Sequence, residues 1–193
     1  MNIFYIIFVV RVYCMKYIKK LFIVLFAVFI AGFIYVLLNL NGITTYKEED
    51  YVRLADSTDF LPDIDYFDSA SDIDFFRFRK SFLGFSSEAY ILTAEYNSDI
   101  YFYEKELLNE KYVFETDNVI DYTGNELSSE FTCYGYKFHL LDAKAYDMLY
   151  PKEIVLIGCS DSEHKVTYIY FMDKDLDAIT SFESFLINYC GWK

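Results

Sequence analysis

The chain has 193 residues, 54% of them hydrophobic and 21% aromatic, and 17 Lys+Arg against 30 Asp+Glu give a formal net charge of -13. That hydrophobic share excludes intrinsic disorder, which requires low hydrophobicity beside high net charge. The acidic excess argues against nucleic-acid binding, because phosphates are met by a basic surface. The charge is also unevenly placed: residues 1–40 hold Arg11, Lys16, Lys19 and Lys20 and no acid, so 13 basic residues face all 30 acids beyond residue 40, a net -17. A charge break that coincides with a hydrophobic run divides a chain between two solvents.

Residues 1–20 read as a short apolar and basic cytoplasmic N-terminus. Met1 to Val10 is apolar, but ten residues make only about 15 Å of helix and Arg11 ends the stretch. Met15 opens a second start, MKYIKK, so translation from Met15 is an alternative. Leu21 to Leu40, LFIVLFAVFIAGFIYVLLNL, has no charged side chain and reaches about 30 Å as a helix, the thickness of a bilayer's hydrocarbon core. Residues 21–40 are therefore expected to form a single transmembrane helix. Basic residues before it and Glu48, Glu49 and Asp50 after it place the N-terminus in the cytoplasm and the remainder outside the cell membrane. A cleaved signal peptide would use Val28 and Ala31 before a cut near Gly32, but the apolar run continues through Phe33 to Leu40, which favours a retained anchor. The abundance of Phe, Tyr and Ile, residues with AT-rich codons, points to a bacterial source.

Residues 41–74 carry ten acids between Glu48 and Asp74 against Lys47 and Arg53 and read as an acidic juxtamembrane stalk, whose second half packs on the domain through Phe60, Leu61 and Phe67. Residues 75–193 read as an extracytoplasmic α+β domain. Ala89 to Tyr96, AYILTAEY, alternates as a strand does, with Phe75 to Phe82 as its partner. Asn97 or Ser98 then caps a helix that places Ile100, Tyr103, Leu107 and Leu108 at helical spacing as far as Glu110. DYTGN, Asp121 to Asn125, is a turn signal, and Phe131 to Leu141 reads as one strand with Tyr134, Tyr136, Phe138 and Leu140 on one parity. EIVLIGC, Glu153 to Cys159, is almost continuously apolar and therefore central, and KVTYIYFM, Lys165 to Met172, pairs with it across the turn Ser160 to His164. A last helix starts at Asp173 and Asp175, aligns Leu176, Ile179, Phe182, Leu186 and Tyr189, and stops at Gly191, with Trp192 folding back on Ile187. This order predicts an antiparallel sheet with two helices packed on one face.

Candidate chemistry is sparse. Asp173, Asp175 and Asp177 resemble the opening of a calcium loop, but Ala178 stands where the turn needs Gly and Ser184 where a bidentate Glu belongs. Helix capping is the competing reading of these acids. Asp63, Asp65, Asp68, Asp72 and Asp74 form a second acidic cluster that reads as a solvated face. Cys133, Cys159 and Cys190 are the thiols beyond the span and His139 and His164 the only imidazoles, which leaves Cys159–His164 and Cys133–His139 as dyads to test. At most two of the three cysteines can join in a disulfide within one chain. No metal, cofactor or nucleotide motif occurs. The expectation is a non-enzymatic, membrane-anchored protein-binding domain whose 31 aromatic residues beyond residue 40 include an exposed patch suited to a basic partner. The alternative is a small membrane-tethered hydrolase or transferase using carboxylates in a cleft, with raised pKa values.

Overall fold

The computed structural model describes the chain except for residues 1–2, 41–42, 56–57, 59, 83–84, 121–123, 125, 147–149, 174–181 and 193. It divides into two compact units, Met1–Asn41 and Gly42–Lys193. The first is a single helix, α1, Ile3–Leu40. Arg11 does not end it. No Pro occurs before Leu40, and Arg and Lys are good helix formers, so the basic stretch continues the helix rather than breaking it. Its 38 residues reach about 57 Å. The stretch Tyr17–Leu37 is long and apolar enough to cross a membrane, with a mean hydropathy of 2.6. None of its side chains is buried, and all but Val36 are exposed.

In the second unit seven strands form one antiparallel sheet: β1 (Ile43–Thr45), β2 (Asp72–Phe82), β3 (Phe85–Glu95), β6 (Glu130–Cys133), β7 (Tyr136–Tyr146), β8 (Tyr150–Ser160) and β9 (Lys165–Asp173). Their spatial order is β1-β2-β3-β9-β8-β7-β6. A separate two-stranded ribbon joins β4 (Val119–Ile120) to β5 (Glu126–Leu127). It flanks the DYTGN turn, which apart from Gly124 lies outside the described residues. Among the described residues the unit also has three helices, α2 (Glu48–Ala55), α3 (Ser98–Lys111) and α4 (Phe182–Tyr189), with a 3-10 turn at Ile64–Phe67. The strand pairs expected at 75–82 with 89–96 and at 153–159 with 165–172 are present, and β8 and β9 lie inside the sheet.

The α+β fold stands, but the helices do not share one face. Phe78, Ile91, Phe138, Leu156 and Phe171 point to one side, where α4 covers them with Phe185 and Leu186. Leu92, Val155, Ile157, Val166 and Tyr168 point to the other, where α2, the 3-10 turn and α3 bring Tyr51, Phe67, Tyr101 and Leu108. β3, β8 and β9 are apolar on both parities, so a cover on one side only would leave a full row of large side chains in water, at about 25 cal/mol per Å². For the same reason residues 41–74 are no stalk. β1 pairs with β2, and Tyr51, Ala55, Leu61 and Phe67 are part of the core, so the domain starts at Gly42 and not at residue 75.

Three local expectations change with packing. Asn97 caps α3, its Oδ1 accepting from the Ile100 amide at 3.2 Å, but the buried face is Tyr101, Glu104 and Leu108, while Tyr103 is 61% exposed. The segment Phe131 to Leu141 is a hairpin rather than one strand. Tyr134 and Gly135 have φ of 50° and 80°, the left-handed pair of a two-residue turn. That turn sets Cys133 opposite Tyr136 and Phe131 opposite Phe138, so apolar residues stay on one face although their parity switches. Gly191 does end α4 with φ 69°, and the Trp192 amide donates back to the Leu186 carbonyl at 3.2 Å, as a Schellman-type stop requires, while the Trp192 ring packs on Tyr136, ring centroids 4.6 Å apart. The start proposed for the last helix lies outside the described residues except Asp173, which closes β9.

Gly158 in β8 allows Phe138 to lie across the strand. A Cβ there would stand 2.5 Å from the Phe138 ring and 2.9 Å from Thr167 Cγ2. Gly158→Ala is expected to destabilise the domain by about 1–3 kcal/mol, the usual result of overpacking. Urea unfolding should show a lower midpoint with an unchanged slope, and an unchanged midpoint would contradict the packing described.

Candidate functional site

Between α3 and the β6–β7–β8 end of the sheet lies a cleft of 340 Å3. Leu108, Phe114, Ile157 and Cys159 give it an apolar floor, and Lys105, Lys137 and Asp161 stand among its polar lining. Register explains this set. Tyr136, Phe138 and Leu140 of β7 face α4, so Lys137 and His139 between them face α3, opposite Cys159 and Ile157 of β8. Lys105 reaches Asp161 in the β8–β9 turn at 2.6 Å, and the Tyr101 hydroxyl donates to the same oxygen at 2.5 Å. Lys137 pairs with Glu130 across the β6–β7 hairpin at 2.8 Å, and His139 Nδ1 lies 3.5 Å from the other oxygen of Glu130.

The thiols are not poised as nucleophiles. Burial pushes Cys159 up to about 11, with nearby Asp161 adding to the rise and Lys105 opposing it. Cys133 and Cys190 are also raised, chiefly by burial. Each is a free, protonated thiol at neutral pH. The Cys133–His139 pairing fails on geometry, since Cys133 faces α4 while His139 lies in the cleft on the other side of the sheet. The turn holds His164 with φ 53°, its ring 5.5 Å from that of Tyr101 and 6.2 Å from that of Phe102. His139 is the imidazole that shares the cleft with Cys159, a neighbourhood that required the hairpin register to be known. Cys133 and Cys190 pack on one face and Cys159 on the other, so the sheet separates Cys159 from both.

Of the calcium candidates, Asp175 and Asp177 and the Asp173 side chain lie outside the described residues. Among the described residues no group of three or more His, Cys, Asp or Glu could hold a metal ion. Asp63, Asp65, Asp68, Asp72 and Asp74 are exposed and spread from the 3-10 turn into β2. Neither Asp161 in the cleft nor Glu130 beside it has the raised pKa of a general acid: hydrogen bonds from Lys105 and Tyr101 hold Asp161 low, and a hydrogen bond from Lys137 lowers Glu130. The acids that are buried serve the scaffold. Asp50 in α2 receives Thr45, Arg53 and Arg77, and Arg77 continues to Glu88, which accepts from Tyr90 at 2.7 Å. Glu104 accepts from Tyr66 at 2.8 Å and ties α3 to the 3-10 turn.

The outer face of α3 carries a second feature. Phe102 and Tyr103 are 51% and 61% exposed, and the exposed acids Asp99, Glu106 and Glu110 share that face at helical spacing. Helical spacing alone predicts Tyr103 inside, whereas it lies on this outer face. Comparison with known protein families, with characterised proteins and with solved structures finds no match to this chain.

Two outcomes follow from the cleft's electrostatics. Alkylation of Cys159 by iodoacetamide should be slow at neutral pH and rise until about pH 11, and a fast reaction at pH 7 would contradict the buried thiol. Burial holds His139 below the ordinary imidazole value of 6.5, against the pull of Glu130 and with help from Lys137 and Lys105. The unfolded chain then binds its proton first, so stability falls as pH drops from 6.5 toward the lowered value. His139→Gln should flatten that part of the stability–pH curve, measured by urea unfolding.

Proposed function

We propose that this protein is a membrane-anchored, non-enzymatic binding domain, held by α1 with its domain on the extracytoplasmic side, that captures a basic protein through the outer face of α3. The observation that carries the reading is the exposed pair Phe102 and Tyr103 within a row of acids. Aromatic side chains supply large contact area and recur as interface anchors, while the acids around them repel acidic surfaces and draw in basic ones. A net charge of -17 beyond residue 40 extends the same field and would speed capture at low salt. The sheet edges are poor alternatives for a partner strand. β1 has three residues, β6 has four, and Ser128 Oγ donates to the Glu130 carbonyl, which occupies part of the β6 edge.

The test places a photo-crosslinking residue at Tyr103 in the full chain in its native membrane. A discrete adduct with a basic protein is expected, weakened by raised salt and abolished by Glu106→Lys with Glu110→Lys. These residues are exposed, so the fold should tolerate the changes, and far-UV circular dichroism checks that. An adduct that survives charge reversal, or none at all, overturns the reading. Sidedness is tested with a C-terminal tag and external protease on intact cells. Digestion of the domain is expected, and protection until lysis would place it in the cytoplasm.

A further inference from the structure

The cleft beside α3 differs in charge from the domain that contains it. Acids outnumber bases 30 to 13 beyond residue 40, yet of the charged side chains lining the cleft two are lysines, Lys105 and Lys137, and one is an acid, Asp161. The two lysines stand on different walls, one on α3 and one on β7. Each ammonium has three N–H donors, of which Lys105 gives one to Asp161 and Lys137 one to Glu130. Their side chains are 37% and 54% exposed, so further donors are open to an acceptor at the mouth. Below them the floor is apolar: Leu108 and Ile157 are each 2% exposed, and Phe114 lies against the His139 ring with centroids 5.1 Å apart. A volume of 340 Å3 falls at the small end of ligand sites, which run from roughly 300 to 1,000 Å3.

We propose that this cleft binds a small amphipathic monocarboxylate, with its acid group between Lys105 and Lys137 and an aromatic or branched apolar body over Phe114 and Ile157. An apolar floor under cationic donors is complementary to that class. A neutral apolar ligand would leave the remaining ammonium donors unused, and an anion without an apolar body would leave the floor uncovered. Arginine, whose planar fork suits phosphate, is not among the described residues lining the cleft, and with Asp161 and Glu130 each holding one lysine the ammonium groups offer spare donors rather than the excess charge that a dianion would need. The same chemistry is carried by a free carboxylic acid and by a peptide ending in an apolar residue. This site is independent of the partner surface proposed on α3, because Phe102 and Tyr103 do not line it.

The experiment uses the full chain in nanodiscs of zwitterionic lipid, titrated by calorimetry with 3-phenylpropionate and its neutral amide. Saturable binding of the acid is expected, about tenfold tighter than the amide, the factor that a charge-assisted hydrogen bond supplies. Lys105→Gln and Lys137→Gln should each weaken the acid severalfold and leave the amide unchanged. Bound acid should slow alkylation of Cys159 but not of Cys133, which lies on the opposite face. An acetylated dipeptide ending in Phe that binds more tightly than the free acid assigns the natural ligand to a peptide terminus, and weaker binding assigns it to a free acid. No saturable binding at millimolar acid, equal affinity for acid and amide, or indifference to both Lys→Gln changes overturns the proposal. Charge reversal on the outer face of α3 should leave this binding intact, which separates its outcome from that of the partner test.

Discussion

The constraint on which the domain rests is that the three inner strands β3, β9 and β8 are apolar on both faces. Ile91 and Leu92, Leu156 and Ile157, and Ile169 and Tyr168 alternate sides, and all are nearly excluded from water. Such strands are stable only between two covering layers. The two covers come from opposite ends of the domain: α2, the 3-10 turn and α3 from the sequence before residue 112, and α4 from its end. That is why the acidic segment after α1 folds into the domain. Its described acids other than Asp50 face water, while Tyr51, Leu61 and Phe67 close one side of the sheet.

The sheet is assembled across long stretches of chain. β3 pairs with β9, so Thr93 meets Thr167 at 3.0 Å and the Thr167 hydroxyl donates to the Leu92 carbonyl, although 74 residues separate the two threonines. The intervening chain crosses over as α3 and returns as the β6 to β9 meander. Closing so long a loop before its contacts form slows folding, a cost that local hairpins avoid. Polar groups fix how the covers sit. Arg77 holds Asp50 of α2 at 3.0 Å and Glu88 of β3 at 3.1 Å, and Glu104 receives Tyr66 from the 3-10 turn. Removing one partner of such a group would leave a charge half-buried, so these contacts fix the geometry more than they add net stability.

The candidate sites were only partly legible. Cys159 and His139 were visible as residue types, but their shared cleft depends on the register of β7 against β8 and on a two-residue turn hidden inside what reads as one strand. Lys105 and Lys137, 32 positions apart, gave no signal in the sequence at all, because a cleft between a helix and a sheet edge has no spacing rule. The aromatic excess beyond residue 40 points to an exposed patch but not to its place. Helical periodicity assigns Ile100, Tyr103, Leu107 and Leu108 to one stripe; Leu108 and Ile100 do pack on the core, but packing sets Tyr101 and Glu104 inside in place of Tyr103. The difference is one residue of rotation, and the Tyr101 and Glu104 hydrogen bonds to Asp161 and Tyr66 favour the observed one.

By itself the sequence determined the apolar helix, the α+β class, most of the strands and the central position of β8, because these follow from local hydrophobic pattern and turn chemistry, which any window of ten or twenty residues contains. It also marked the stop of α4 at Gly191, since a left-handed residue after a helix is a local need. Only the tertiary structure decided which face each helix covers, where the domain begins, and which side chains meet in the cleft. A strand that is apolar on both sides does not state which segment will cover which face. That choice depends on the whole set of covers competing for the same surface, and no local window holds it.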